Sequence, residues 1–140
     1  MKLLILNGVN LNLTGKREQD VYGGETLEEI NAQLQAYAEQ HGYGIDCFQS
    51  NSEGELCSQI HGAEGKYDGI VLNAGAYTHY SLALRDAIAA VKVPVVEVHM
   101  SNVHAREEFR KKSVLTEVCK GEILGFGKNS YLLAMESFRL

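Results

Sequence analysis

The chain has 140 residues, a formal net charge of −5, 45% apolar residues and three cysteines. That length suits one domain, residues 1–140, able to bury a core without disulfide or metal staples. The acidic balance speaks against a nucleic-acid or anionic-membrane partner. The odd, unclustered Cys47, Cys57 and Cys119 speak against a disulfide frame or zinc site, and a four-residue apolar start against a signal peptide, so a cytoplasmic protein is expected.

In chain order, Leu3 to Leu6 reads as a buried strand that empties into a long polar loop, Asn7 to Gly24. Thr26-Leu27-Glu28-Glu29 is a capping box. It opens a helix with Leu27, Ile30, Leu34, Tyr37 and Ala38 at helical spacing, closed by Gly42. Residues 44–49 read as a second strand. Ser52-Glu53-Gly54-Glu55 is a second capping box, followed by Leu56, Ile60 and Ala63. Residues 69–72 form a third strand ending in Asn73-Ala74-Gly75, and residues 80–91 an Ala- and Leu-rich helix. Residues 93–98 form a fourth strand ending in His99. The pattern predicts a short charged helix over 105–111, a weaker fifth strand over 119–124 and a last helix over 129–140.

Strands rich in Val, Ile and Leu that alternate with helices mean a parallel sheet covered on both faces. Five strands in this length fit a flavodoxin-like three-layer α/β sandwich, a five-stranded parallel sheet in the order 2-1-3-4-5. A ligand then sits over the carboxyl ends of strands 1, 3 and 4. The chain's densest Asn and His clusters fall there: Asn7 to Asn12, Asn73 to His79, and Glu97 to Asn102.

Several chemistries are disfavoured. Gly15-Lys16 lacks phosphate-loop spacing, and Arg17 stands where Ser or Thr would bind magnesium. No G-x-G-x-x-G follows the first strand, no Gly-x-Ser-x-Gly elbow is present, and no His/carboxylate grouping has familiar metal spacing. A receiver domain would carry acidic residues, and a flavodoxin a Ser/Thr-rich loop, where this chain has asparagines.

The remaining candidates each carry two readings. Tyr22 is a loop anchor, or a base whose ionisation is aided by the guanidinium of Arg17 five residues earlier. His99 is a packed imidazole, or an acid at the ligand edge, with Glu97 on the same strand face to orient it. Asn10, Asn12 and Asn73 serve turns, or recognise carbonyl, carboxylate and hydroxyl groups; Asn10 could then face an enolate oxygen. His79 and Arg110 could grip hydroxyls or a carboxylate; Arg110 is otherwise one more charge on the Arg106–Lys112 face. Asp86 beside Arg85 is plainly read as a surface ion pair.

Taken together, the segments resemble one family, type II 3-dehydroquinate dehydratase. The matching blocks are Asn7-Gly-Val-Asn-Leu-Asn-Leu-Thr-Gly-Lys-Arg-Glu18, Val21-Tyr-Gly, Gln49-Ser-Asn-Ser-Glu-Gly, Asn73-Ala-Gly-Ala-Tyr-Thr-His79, Ala83-Leu-Arg-Asp-Ala, Glu97-Val-His-Met-Ser-Asn-Val-His-Ala-Arg-Glu-Glu-Phe-Arg110 and Gly121-Glu-Ile-Leu-Gly-Phe-Gly with Tyr131-Leu-Leu-Ala. They lie in order over essentially the whole chain. The resemblance implies reversible anti loss of water from 3-dehydroquinate through an enolate, without cofactor or metal. It implies Tyr22 as base, Arg17 on a mobile lid assisting it, Asn10 holding a water against the enolate oxygen, and His99 as acid. It assigns substrate binding to Asn73, the Met100-Ser101 backbone, His79 and Arg110. Asp86 would reach a neighbouring subunit's site in a homododecamer of four trimers.

Val9, Gln19 and Ala74 stand where the family usually has proline, and Thr14 where it has Leu; Pro94 is the chain's only proline. A looser lid and rim are expected, with an extra hydrogen bond from Thr14. Two rivals remain at this level: a non-catalytic sensor of a cyclic polyol acid, and a hydrolase or different lyase that uses His99 with Arg17.

Overall fold

A computed structural model describes residues 1–140. Five strands, β1 (Lys2–Asn7), β2 (Gly44–Gln49), β3 (Gly69–Asn73), β4 (Val95–His99) and β5 (Gly121–Leu124), form one sheet in the order β2-β1-β3-β4-β5. Every pairing is parallel. This is the flavodoxin-like order expected from the alternation of elements.

Side-chain alternation on β1 shows why the sheet needs two covers. Leu3 and Ile5 enter one buried cluster; Leu4 and Leu6 enter the other. Helices α2 (Leu27–Gln40) and α5 (Asn129–Ser137) close the first face through Ile30, Leu34, Ala38, Tyr131 and Met135. Helices α3 (Glu53–His61) and α4 (Leu82–Ala90) close the second through Leu56, Ile60, Leu84 and Ile88. Each fully buried Leu or Ile contributes about 1.5–3 kcal/mol relative to exposure.

The N-cap half of both capping boxes forms, while Glu29 Oε1 accepts from the Thr26 hydroxyl and Glu55 Oε1 from that of Ser50 instead of returning to the cap amide. Thr26 Oγ1 accepts from the Glu29 amide at 3.2 Å and Ser52 Oγ from that of Glu55 at 3.1 Å. The helix expected over 80–91 starts later, because Ser81 caps it by accepting from the Leu84 amide at 3.0 Å. Residues Gly75–His79 before it form a 3-10 turn.

The expected helix over 105–111 is absent. Two 3-10 turns, Val103–Ala105 and Glu108–Lys111, replace it, with Arg106 extended between them. Arg106 leaves helical geometry because its side chain is spent on tertiary bonds to the loop after β1. That loop also contains a four-residue helix, α1 (Gln19–Tyr22), which the sequence pattern did not suggest.

The loops after β1 and β3 meet backbone to backbone. The Gly8 amide donates to the Asn73 carbonyl at 2.7 Å. A Cβ on Gly8 would lie 2.5 Å from the Ala74 carbonyl oxygen, and one on Gly75 (φ +63°) 2.5 Å from that of Val9. Glycine at both places lets the two loops close the floor of one crevice.

Candidate active site

The crevice lies at the carboxyl ends of β1, β3 and β4. Its walls bring together Asn10, Arg17, Tyr22, Asn73, His79, His99, Met100, Ser101, Arg106 and Arg110. Nine of the ten residues singled out as catalytic or substrate-binding, the Met100-Ser101 pair among them, thus line one pocket with Arg106, which was not singled out.

Tyr22 is held by two guanidinium groups. Arg17 Nη2 donates to Tyr22 Oη at 3.1 Å and Arg106 Nη1 at 2.6 Å. Both donors suit an anionic phenol oxygen. Arg106 also donates to Glu18 Oε2 at 3.2 Å and to Ser101 Oγ at 3.4 Å. It therefore ties the loop that carries Arg17 and Tyr22 to the rim after β4. Within this loop Glu18 adopts φ +40°, a left-handed conformation costly for a non-glycine residue. Thr14 Oγ1 donates to the Leu11 carbonyl at 2.7 Å, the extra bond expected there, and Gln19 Nε2 to the Gly15 carbonyl at 2.9 Å.

His99 stands at the end of β4 with Glu97 beside it, Nε2 to Oε2 2.5 Å. Glu97 is wholly buried, and Ser113 Oγ and Thr116 Oγ1 donate to its other oxygen at 3.0 and 2.8 Å. Burial pushes the Glu97 carboxyl up, but the hydrogen bonds and charge of His99, with bonds from Glu122 and Thr116, hold it below the ordinary carboxylate range. The result is a buried anion behind the imidazole.

The amide groups are fixed in the same way. Asn73 Nδ2 donates to Tyr131 Oη at 2.9 Å, and Asn73 Oδ1 accepts from the Gly75 amide at 3.1 Å. Tyr131 Oη in turn donates to Asn7 Oδ1 at 2.6 Å. Asn10 has φ 68°, and its backbone N–H donates to Asn51 Oδ1 at 3.0 Å. Asparagine tolerates that left-handed position better than most residues. Arg110 pairs with both Glu107 oxygens at 3.2 Å, and His79 Nδ1 lies 2.7 Å from the Lys112 carbonyl.

Two candidates fall elsewhere in the single chain. Asn12 is exposed in the turn Leu11–Leu13, whose inward residue is Leu11. Asp86 is exposed on α4, whose inward face is Leu84, Ala87 and Ile88. Glu97, Glu122 and His99 bring ligand-type atoms within 4.8 Å of one another. The bonds just described already engage both Glu97 oxygens, so the group is a hydrogen-bonded support for His99.

Sequence reasoning missed Arg106, Tyr131 and Glu122. Arg106 was visible only as one charge on a basic face, because its role depends on an extended backbone that no local signal announces. Tyr131 stood in a matching block with no role attached.

A flavodoxin-like sheet whose crevice holds an arginine-clamped tyrosine and a carboxylate-backed histidine has the pair of groups that an acid–base enzyme needs. The family model described as dehydroquinase class II matches residues 1–139. The chain belongs to that family. It is 54% identical over 137 residues to the 3-dehydroquinate dehydratase of Desulforudis audaxviator, covering 98% of this chain and 91% of that protein. It is 56% identical over 133 residues to that of Halalkalibacterium halodurans, covering 95% and 92%. The crystal structure of type II dehydroquinase from Butyrivibrio crossotus superposes with a TM-score of 0.98 at 44% identity, covering 100% of this chain and 98% of that one.

Proposed function

We propose that the chain is a single-domain hydro-lyase that removes water from 3-dehydroquinate to give 3-dehydroshikimate. The step serves the shikimate pathway; quinate breakdown uses the same reaction. One observation carries the assignment of roles: Tyr22 Oη, bonded to Arg17 and Arg106, lines the same pocket as the Glu97-backed His99.

The leaving hydroxyl is β to a ketone, so the reaction needs a base, an acid and a partner for the enolate oxygen. Tyr22 as phenolate takes the proton next to the carbonyl, and the electron pair moves onto the carbonyl oxygen. Asn10 supports that oxygen through a water. As the enolate collapses, the carbon–oxygen bond to the hydroxyl breaks and His99 delivers a proton to it, so water leaves. Hydroxide is a poor leaving group at neutral pH, and positioned proton transfer contributes roughly 10²–10⁴-fold. Asn73, His79, the Met100-Ser101 backbone and Arg110 orient the carboxylate and hydroxyls.

The assembly we infer is a homododecamer of four trimers. Tyr80, Leu82 and Phe109 are large apolar side chains, each at least 60% exposed. Leu82 and Asp86 are one helical turn apart on α4 and share a face. An apolar contact there would carry Asp86 toward a neighbour's site. No helix is long and apolar enough to cross a membrane, and the acidic chain with three free cysteines is read as cytoplasmic.

Incubation with 3-dehydroquinate, followed in the ultraviolet, tests the reaction. The conjugated enone product gives a rising absorbance. A flat trace at substrate saturation would support the sensor or the other hydrolytic chemistries instead. A sizing measurement tests the assembly: a mass near one or three chains contradicts the dodecamer.

A further inference from the structure

Two carboxyl groups face the His99 imidazole. Glu97 Oε2 stands 2.5 Å from Nε2, and Glu122 Oε2 stands 3.7 Å from the same nitrogen. The acids come from adjacent strands, where Glu97 and Glu122 are direct register partners across β4 and β5. Register partners leave the sheet on the same face. Thr116 Oγ1 bridges them, 2.8 Å from Glu97 Oε1 and 3.5 Å from Glu122 Oε2. Glu97 is sealed, while the Glu122 side chain keeps 23% exposure, so only Glu122 exchanges protons directly with solvent.

We propose that Glu122 is a positioning residue whose ionised carboxylate keeps His99 charged on the alkaline side, extending the pH range in which His99 delivers its proton. The proposal rests on the reading of His99 as the acid.

Burial, the hydrogen bond to Glu97 and repulsion by that carboxylate push the Glu122 carboxyl up to about 7, against the opposing pull of His99 and Thr116. Below that pH, neutral Glu122 donates to Glu97. Above it, Glu122 places a second negative charge beside the imidazole, and an opposite charge at this distance favours the protonated ring. The other neighbours do not supply this response. Ser113 and Thr116 are neutral donors, and burial pushes the Cys119 thiol up to about 12. On the pocket side, the titratable Tyr22 and His79 line the cavity with Arg17, Arg106 and Arg110; Tyr22 and His79 are the same in both forms compared below, and the arginines keep their charge at every pH of interest.

Glu122→Gln keeps the shape and a donor toward Glu97 but removes the ionisable group. Nuclear magnetic resonance of the His99 ring, in the free protein from about pH 5 to about pH 10, reads the coupling. The ring is expected to lose its proton at a lower pH in the variant; equal midpoints overturn the proposal. In the pH profile of kcat on 3-dehydroquinate, the two forms are expected to coincide on the acid side. The variant then loses activity sooner on the alkaline side. A uniform fall in kcat at every pH would make Glu122 merely structural and overturn the proposal as well. An earlier ring titration with an unmoved kcat limb would contradict His99 as the acid, and the catalytic half of the proposal with it.

Discussion

Arg106 Nη1 lies 2.6 Å from Tyr22 Oη, closer than the 3.1 Å of Arg17, although 84 positions separate Arg106 from Tyr22 in the chain and only five separate Arg17. The nearer guanidinium belongs to the rim after β4, and the farther one to the loop that carries the tyrosine. One arginine therefore shares the loop of Tyr22, while the other reaches it from the rim after β4.

Arg106→Ala should disrupt both the charge at the phenol oxygen and the tie to Glu18. The expected outcome is a fall in kcat of about 10²–10³-fold, the range for loss of one preorganised donor. Amide exchange over residues 14–24 should quicken. Arg106→Lys should recover only part of the loss, since an ammonium cannot reproduce the fork to Tyr22 and Glu18. Full activity with unchanged exchange in the alanine variant would remove Arg106 from the site. In the unaltered protein, equal protection of residues 14–24 with and without a bound inhibitor would contradict a mobile lid.

Glu97→Gln should keep the fold's hydrogen bonds from Ser113 and Thr116 while removing the buried charge beside His99. A loss in kcat of about 10²-fold is expected, with KM little changed, because the effect falls on proton transfer rather than on binding. A selective rise in KM would show that Glu97 acts on substrate placement instead.

The two carboxyls predict opposite pH slopes of stability. Burial and the neighbouring Glu97 carboxylate push the Glu122 carboxyl up from 4.5 to about 7, so the folded chain keeps a proton that the unfolded chain releases. Its contribution is full below about pH 4.5 and is lost as pH rises toward about 7. Glu97 is lowered, so its contribution is present above its ordinary value and is lost as pH falls below it. Urea unfolding at about pH 5 and about pH 8 should show a smaller loss of stability on the alkaline step in Glu122→Gln than in the unaltered chain. Identical losses would mean that Glu122 titrates alike folded and unfolded.

Gly8→Ala should push apart the loops that form the floor of the crevice, because the new Cβ would meet the Ala74 carbonyl at 2.5 Å. Backbone on both sides leaves no flexible side chain to yield. A loss of about 1–3 kcal/mol, typical of overpacking, is expected in urea unfolding, together with a raised KM. Unchanged stability would show that the loops can separate freely.

The strand-and-helix order was legible because periodicity is local: Leu3 to Leu6 filling both faces of the sheet, Thr26 and Ser52 opening helices. The crevice was legible from where the Asn and His clusters fall in a parallel sheet. What failed to show was tertiary in origin. Residues 103–111 have helix-forming charges, yet Arg106 is drawn straight by bonds to Tyr22 and Glu18. The Glu97–Glu122 pairing depends on the register of β4 against β5, which no stretch of sequence encodes by itself. The orientation of Asn73 likewise depends on Tyr131, 58 positions away.

The most direct test of Tyr22 as the base is kcat of Tyr22→Phe on saturating 3-dehydroquinate, beside substrate-analogue binding. Phenylalanine keeps the ring that Arg17 and Arg106 pack against, at 5.0 and 5.3 Å, and removes only the oxygen. The arrangement predicts a loss of kcat of about 10²–10⁴-fold with binding retained. Enone formation at the unaltered rate would contradict it.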